Sequence, residues 1–148
     1  MMTEFKTYTE KHTAPDAEIQ QMVRFLHDHL DQYGDEKEDI EKSIHYAMGR
    51  NGKPGGLVIT ACAAEGLLGA VVLNKTGMGG YIPENILVYI AIDRNTRGTG
   101  LGKKLMQQAI EQSEGDIALH CEPDNPAKHL YNKLGFTSKY LEMRLKKH

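Results

Sequence analysis

Residues 97–104 read RGTGLGKK: one arginine, three glycines at alternate positions and two lysines, placed before and inside the start of a predicted helix. The first N–H groups of a helix lack internal partners, and the helix dipole adds partial positive charge there. Glycines let the oxygens of an anion approach the main chain where a Cβ would intrude. The backbone amides of Gly98, Thr99, Gly100, Leu101, Gly102 and Lys103 are therefore candidates to cradle a phosphate, with Arg97, Lys103 and Lys104 as surrounding cations. Residues 94–108 carry four bases and no acid, whereas the whole chain has a formal net charge of −2. A local basic patch in a near-neutral chain points to a small anionic ligand and argues against nonspecific nucleic-acid binding.

Two common phosphate motifs fail on spacing. A Walker A loop ending at Gly102-Lys103 requires glycine at position 97, which is Arg97, and Ser or Thr at position 104, which is Lys104. A dinucleotide fingerprint starting at Gly98 requires glycine at Lys103, and one starting at Gly100 requires it at Leu105.

The elements that must hold this loop follow from the periodicities. Phe5 to Thr9 alternates as a first strand. Ile19, Met22, Val23, Leu26 and Leu30 recur at helical spacing, and Ile40, Ile44, Ala47 and Met48 continue a second helix after Gly34. Residues 49–56 form a turn cluster. Leu57–Ala63 and Leu67–Asn74 read as strands joined at Glu65-Gly66, and the apolar run 86–92 as a strand buried on both faces. After the glycine stretch and its helix, residues 116–121 read as a strand, 125–135 as a short helix closed by Gly135, and 139–145 as a terminal strand, with a further short strand near Phe136. The order β-α-α-β-β-β-α-β-α-β gives one mixed α/β domain over residues 1–148, with no repeat or linker. The length suits one core. Cys62 and Cys121 sit in apolar runs without metal-ligand spacing, so buried side chains and no metal are expected. No apolar run is long enough to span a bilayer and residues 1–12 hold no apolar signal region, so a cytoplasmic protein is expected.

The pattern R-x-x-G-x-G at Arg97, Gly100 and Gly102 after an apolar strand resembles the GNAT superfamily of N-acetyltransferases. A downstream stretch, NPAKHLYNKLGF, resembles that family's second motif through Asn125, Tyr131, Gly135 and Phe136, with Ala127 slightly displaced. The element order also matches along nearly the whole chain. The resemblance implies a mostly antiparallel central sheet of six to seven strands flanked by about four helices. It implies acetyl transfer from acetyl-CoA to a primary amine of a small molecule or peptide, with a possible homodimer. Two departures stand out: Arg94 replaces a proline often found three residues before the motif arginine, and ILVYIAI lacks the acid that many members place there. The second departure keeps open a non-catalytic acyl-CoA-binding or regulatory domain.

The resemblance assigns residues as follows. Arg97 to Lys103 hold the coenzyme's pyrophosphate, the main chain of Ile90, Ala91 and Ile92 lies beside the pantetheine arm, and Asn125, Lys128 and Tyr131 contribute from the last helix. Tyr131 is the choice for general acid toward the departing thiolate, although the same residue suits packing beside Leu130 and Leu134. Asn125 suits both the pantetheine arm and a helix cap. Glu122 and His120 are possible bases, with Tyr89 and Glu84 as others. Residues 1–50 carry eleven acids against six bases, and an acidic rim would attract a cationic amine such as a polyamine, an aminoglycoside or a lysine side chain. Tyr33, Tyr81 and Glu84 are candidates for contact with that acceptor.

Overall fold

The computed structural model describes residues 3–147. Strands β1 (Glu4–Tyr8), β2 (Gly56–Ala63), β3 (Gly66–Lys75), β4 (Asn85–Ile92) and β5 (Ile117–Ala118) form one five-stranded sheet in sequential order. All neighbours are antiparallel except β4 and β5. Helices α1 (Asp16–His29), α2 (Lys37–Ala47), α3 (Leu101–Gln112) and α4 (Ala127–Lys133) flank it.

The predicted helical stripes become the two outer layers. Ile19, Met22, Val23 and Leu26 of α1 and Ile40, Ile44 and Ala47 of α2 bury against Val58, Ala70 and Val72 on one sheet face. Leu101, Leu105, Met106 and Ala109 of α3 bury against Ile59, Val71 and Leu73 on the other. Because β2 is covered on both faces, Leu57 to Ala61 are all buried, and all but Thr60 are apolar. Gly69 permits the close approach of α3, since a Cβ there would lie 2.8 Å from Leu105 Cδ1.

Two features of β4 shape the site. Val72 pairs with Tyr89 but Leu73 pairs with Leu87, so Val88 is the extra residue of a bulge. Leu87 belongs to the α3 side, while Val88, Tyr89 and Ala91 turn toward α1 and α2. Strand β5 then pairs only through Asn85–Ile117 and Ile86–Ala118. Asn85 pins that junction: its backbone N–H donates to the Asp116 carbonyl at 3.1 Å and its side-chain amide to Glu114 at 2.8 Å. Beyond it the two strands part.

The sheet has five strands where six to seven were predicted. The predicted strand 116–121 shortens to two residues, and 139–145 forms no strand, with Tyr140, Leu141, Met143 and Leu145 each 79–88% exposed. Period-2 alternation describes a chain suited to pairing, but it cannot supply the partner, and so short a β5 offers little edge. No strand forms near Phe136 either, because its N–H donates to the Tyr131 carbonyl and closes α4 in a Schellman cap with Gly135 at φ +98°.

Gly56 sits against β3, where a Cβ would lie 2.0 Å from the Leu73 carbonyl oxygen. Gly56→Ala must spread β2 from β3 and should cost about 1–3 kcal/mol. Urea unfolding should report it; an unchanged midpoint would contradict this register.

Candidate functional site

Where β4 and β5 part, a cleft of about 580 Å³ opens between residues 87–92 of β4, the start of α3, and the segment from His120 to α4. The α1–α2 connection closes one mouth through His29, Asp31 and Tyr33. Of the predicted site residues, the cleft wall gathers Ile90, Ala91, Ile92, Arg97, Gly98, Gly100, Leu101, Gly102, Lys103, His120, Asn125, Tyr131 and Tyr33. Thr99 and Lys128 are exposed beside it, and Glu122 stays outside the wall. Tyr81, 79% exposed, and Glu84 lie elsewhere. Glu84 lines a wider hollow of about 930 Å³ at the other end of β4, where its carboxylate accepts the Asp116 N–H at 2.9 Å and is thereby held below the usual carboxylate range. That hollow meets the C-terminal end of α3, where anions are disfavoured, and is lined by Glu10, Glu84 and Glu114 together with Lys11 and Lys75.

The glycine loop meets the requirements of an anion cradle. Among the described residues, no N–H from Gly98 to Lys103 finds an acceptor in the chain, and the first helical bond runs from Lys104 to the Gly100 carbonyl at 3.1 Å. Gly98 and Gly100 have φ +81° and +86°, with open space where a Cβ would stand. Left-handed glycines turn these amides outward, and no side chain caps α3.

Arg97 plays a different part from the mobile cation expected. Its guanidinium donates to the carbonyls of Ile92 at 3.2 Å and His29 at 2.7 Å and to Asp31 Oδ2 at 3.3 Å. Arg94 grips the same carboxylate at 2.7 Å and also donates to the Asp28 carbonyl. Both arginines thus cap the C-terminal end of α1, where cations are favoured, and strap it to the glycine loop. Their partners lie more than 60 residues away in sequence, so no local pattern could have revealed the strap.

Tyr131 is placed by the cap of α4. Its carbonyl accepts from Phe136, and the two rings meet edge-on at 5.9 Å. The residue is 7% exposed and, among the described residues, its hydroxyl has no hydrogen-bond partner, so the phenol is left for the cleft. Burial, aided by nearby Cys121, pushes its pKa up to about 12, and the group stays a proton donor at working pH. Asn125 Oδ1 accepts the Ala127 N–H at 2.9 Å, capping α4 and leaving its amide nitrogen for the cleft. His120 meets the Arg144 guanidinium through Nε2 at 2.8 Å, which occupies the lone pair a base would use. The Tyr33 hydroxyl donates to the Asp124 carbonyl at 3.2 Å and so bridges the cleft mouth. Tyr89, another possible base, instead donates to Asp35 at 2.5 Å. Asp35 is one of the eleven acids counted in residues 1–50, and nothing in its local sequence singled it out.

The family model for the acetyltransferase (GNAT) family matches residues 20–136. No curated protein matches the chain by sequence. Among solved structures, an aminoglycoside acetyltransferase from an uncultured soil metagenomic sample superposes with TM-score 0.72 at 12% identity over 100% of both chains. An aminoglycoside 6'-N-acetyltransferase from Acinetobacter haemolyticus gives 0.69 at 16% identity over 98% of each. A transcriptional regulator from Bacillus halodurans gives 0.68 at 19% identity over 99% of this chain and 100% of that one. The chain belongs to the GNAT acetyltransferase family, and its α/β fold is that of these structures.

Hydrogen bonds from Arg94, then Arg97, hold the Asp31 carboxyl below the usual carboxylate range. This contribution is present above the unfolded pKa of about 3.9 and is lost as pH falls through the lower folded value. Carboxyl ¹³C titration should place the Asp31 midpoint below about 3.9, and Arg94→Ala should raise it. A midpoint indifferent to that substitution would contradict the strap.

Proposed function

We propose that the chain is an acetyl-CoA-dependent N-acetyltransferase that acts on a primary amine of a small molecule or peptide. The observation that carries this reading is the alignment of three features in one cleft: a cradle of unpaired amides, a parted pair of strands, and a buried tyrosine hydroxyl without a protein partner. The family typically uses acetyl-CoA, and when bound this co-substrate supplies an activated acetyl thioester.

The amides of Gly98 to Lys103 hold the diphosphate, with Lys103 adding charge. The freed main-chain edge of Ile90 to Ile92 aligns the extended arm as an added strand would. A main-chain amide of that edge donates to the thioester oxygen as charge develops there. The Tyr131 hydroxyl donates to the sulfur as it leaves. Asp28, Asp35 and Asp39 around the α1–α2 mouth favour a cationic acceptor. The solved aminoglycoside acetyltransferases make a polyamine or aminoglycoside a reasonable first probe alongside a lysine side chain. The second reading, a non-catalytic acyl-CoA-binding domain, is favoured only by the acid-free β4.

Calorimetry should detect coenzyme A binding, and thiol release from acetyl-CoA across an amine panel should separate the two readings. Tyr131→Phe should lower kcat about 10²-fold while leaving coenzyme affinity nearly unchanged. An unaffected enzyme, or a variant that no longer binds, would remove Tyr131 from this role.

A further inference from the structure

Building on the acetyl-transfer reading, we propose that Asp35 is the general base that takes the proton of the acceptor amine, and that Tyr89 positions it. A primary alkylamine near pKa 10 is mostly an ammonium at neutral pH and cannot attack until it loses a proton. Strand β4 carries no acid, so the proton acceptor has to reach the cleft from another element.

The bulge at Val88 supplies the means. It turns Tyr89 toward α1 and α2, where the ring is buried in the core and lines the cleft. The Tyr89 hydroxyl donates to Asp35 Oδ2 at 2.5 Å, across 54 positions of sequence. Asp35 follows the short turn Asp31–Tyr33 and precedes α2, on the side where the α1–α2 connection closes the cleft. Its residue is exposed, and among the described residues no cation pairs with it, in contrast to Asp31 with its two arginines. One oxygen is fixed by the phenol and the other keeps its lone pairs for an incoming ammonium. The remaining ionisable groups agree with this role. Asp39 of α2 acts on Tyr89 with the same sign as Asp35, and burial raises the Tyr89 hydroxyl, so it remains a donor to the carboxylate. His29 of α1 is engaged by the Arg94 N–H at 3.3 Å and lies 3.7 Å from Asp93, and Tyr33 is tied to Asp124. Asp35 meets the wall through Tyr89, whereas His120 and Glu122 stand on the opposite, α4 side, the first paired with Arg144.

The protons balance. The ammonium gives its first proton to Asp35, which releases it to water. The C–N bond then forms and the C–S bond breaks. The second nitrogen proton leaves to solvent, and solvent returns one proton to the thiolate, whose charge the Tyr131 hydroxyl stabilises, so one proton is released overall.

The test follows thiol release from acetyl-CoA with spermine, kanamycin and Nα-acetyl-lysine amide as acceptors, from pH 6 to about 10, where the amine frees itself. Asp35→Asn should lower kcat/KM about 10²-fold near neutrality, and the deficit should shrink as pH rises. Asp35→Glu should restore part of the rate. Tyr89→Phe releases the carboxylate from its fixed orientation, so it should lower kcat more than it raises KM, with a smaller loss than Asp35→Asn. Coenzyme A affinity by calorimetry should be unchanged in all three. Native-like rates in Asp35→Asn, or a deficit equal at every pH, would overturn the assignment while leaving the transfer reading intact. Coenzyme binding by the unmodified protein without thiol release from any amine would end both and select the non-catalytic reading.

Discussion

The site depends on one junction: β4 and β5 are held together at their first residues and nowhere else. This is the sheet's parallel pair, and α3 makes the crossover between its strands. Parallel strands joined through a helix place their carboxyl ends and the helix N-terminus on the same edge, where crevices of α/β sheets bind ligands. Asn85 is buried and binds the turn after α3 through both backbone and side chain. A short, firmly pinned β5 lets the strands separate after two residues without detaching the element. The bulge at Val88 adds twist and bend at the point of separation. The unpaired edge of β4 that results would be a liability on an open surface. Inside a cleft it is an array of donors and acceptors for an extended ligand.

A second constraint joins the two ends of that ligand's path. The C-terminal end of α1 presents unpaired carbonyls, and the glycine loop presents unpaired amides. Arg94 and Arg97 satisfy the carbonyls of Asp28 and His29 and share Asp31 between them. Asp31 itself takes a left-handed backbone at φ +57°, a conformation that aspartate and asparagine adopt more readily than most residues, and its carboxylate meets both arginines. The α1–α2 connection and the glycine loop are therefore tied into one corner. With Arg97 occupied, the backbone amides of the loop are the donors left without partners among the described residues.

Features set by short-range chemistry were legible in the sequence, and features set by distant partners were not. The glycine motif, the C-cap at Gly135, the helical stripes of α1 and α2 and the β2–β3 hairpin each follow from residues within one turn or one strand, and all are present. The solvent-exposed segment 139–145 has the same alternation as β1 but lacks a neighbour of sufficient length, a property no window of its own residues contains. Glu84 suggested itself as an acid before β4, yet strand direction puts the start of β4 at the end remote from the cleft. The contact between Tyr89 and Asp35 needed both the bulge at Val88, which no glycine or proline marks, and the α1–α2 turn, whose Gly34 signals a break but not the partner it faces.

The environment of Tyr131 also bears on how it acts in the proposed transfer. A phenol raised to about 12 is a weaker acid than free tyrosine, whereas a thiol of about 8.5 is a weak base as its thiolate. Full proton transfer from phenol to thiolate would be uphill by about 5 kcal/mol. A hydrogen bond carries no such cost, and it strengthens as its surroundings lose water. The burial that disfavours complete transfer is thus the condition that makes the donor effective. The Phe136 ring and the closed cap of α4 hold the Tyr131 ring in place. Tyr131 then stabilises the charge that develops on sulfur, and solvent supplies the final proton once the amide bond has formed.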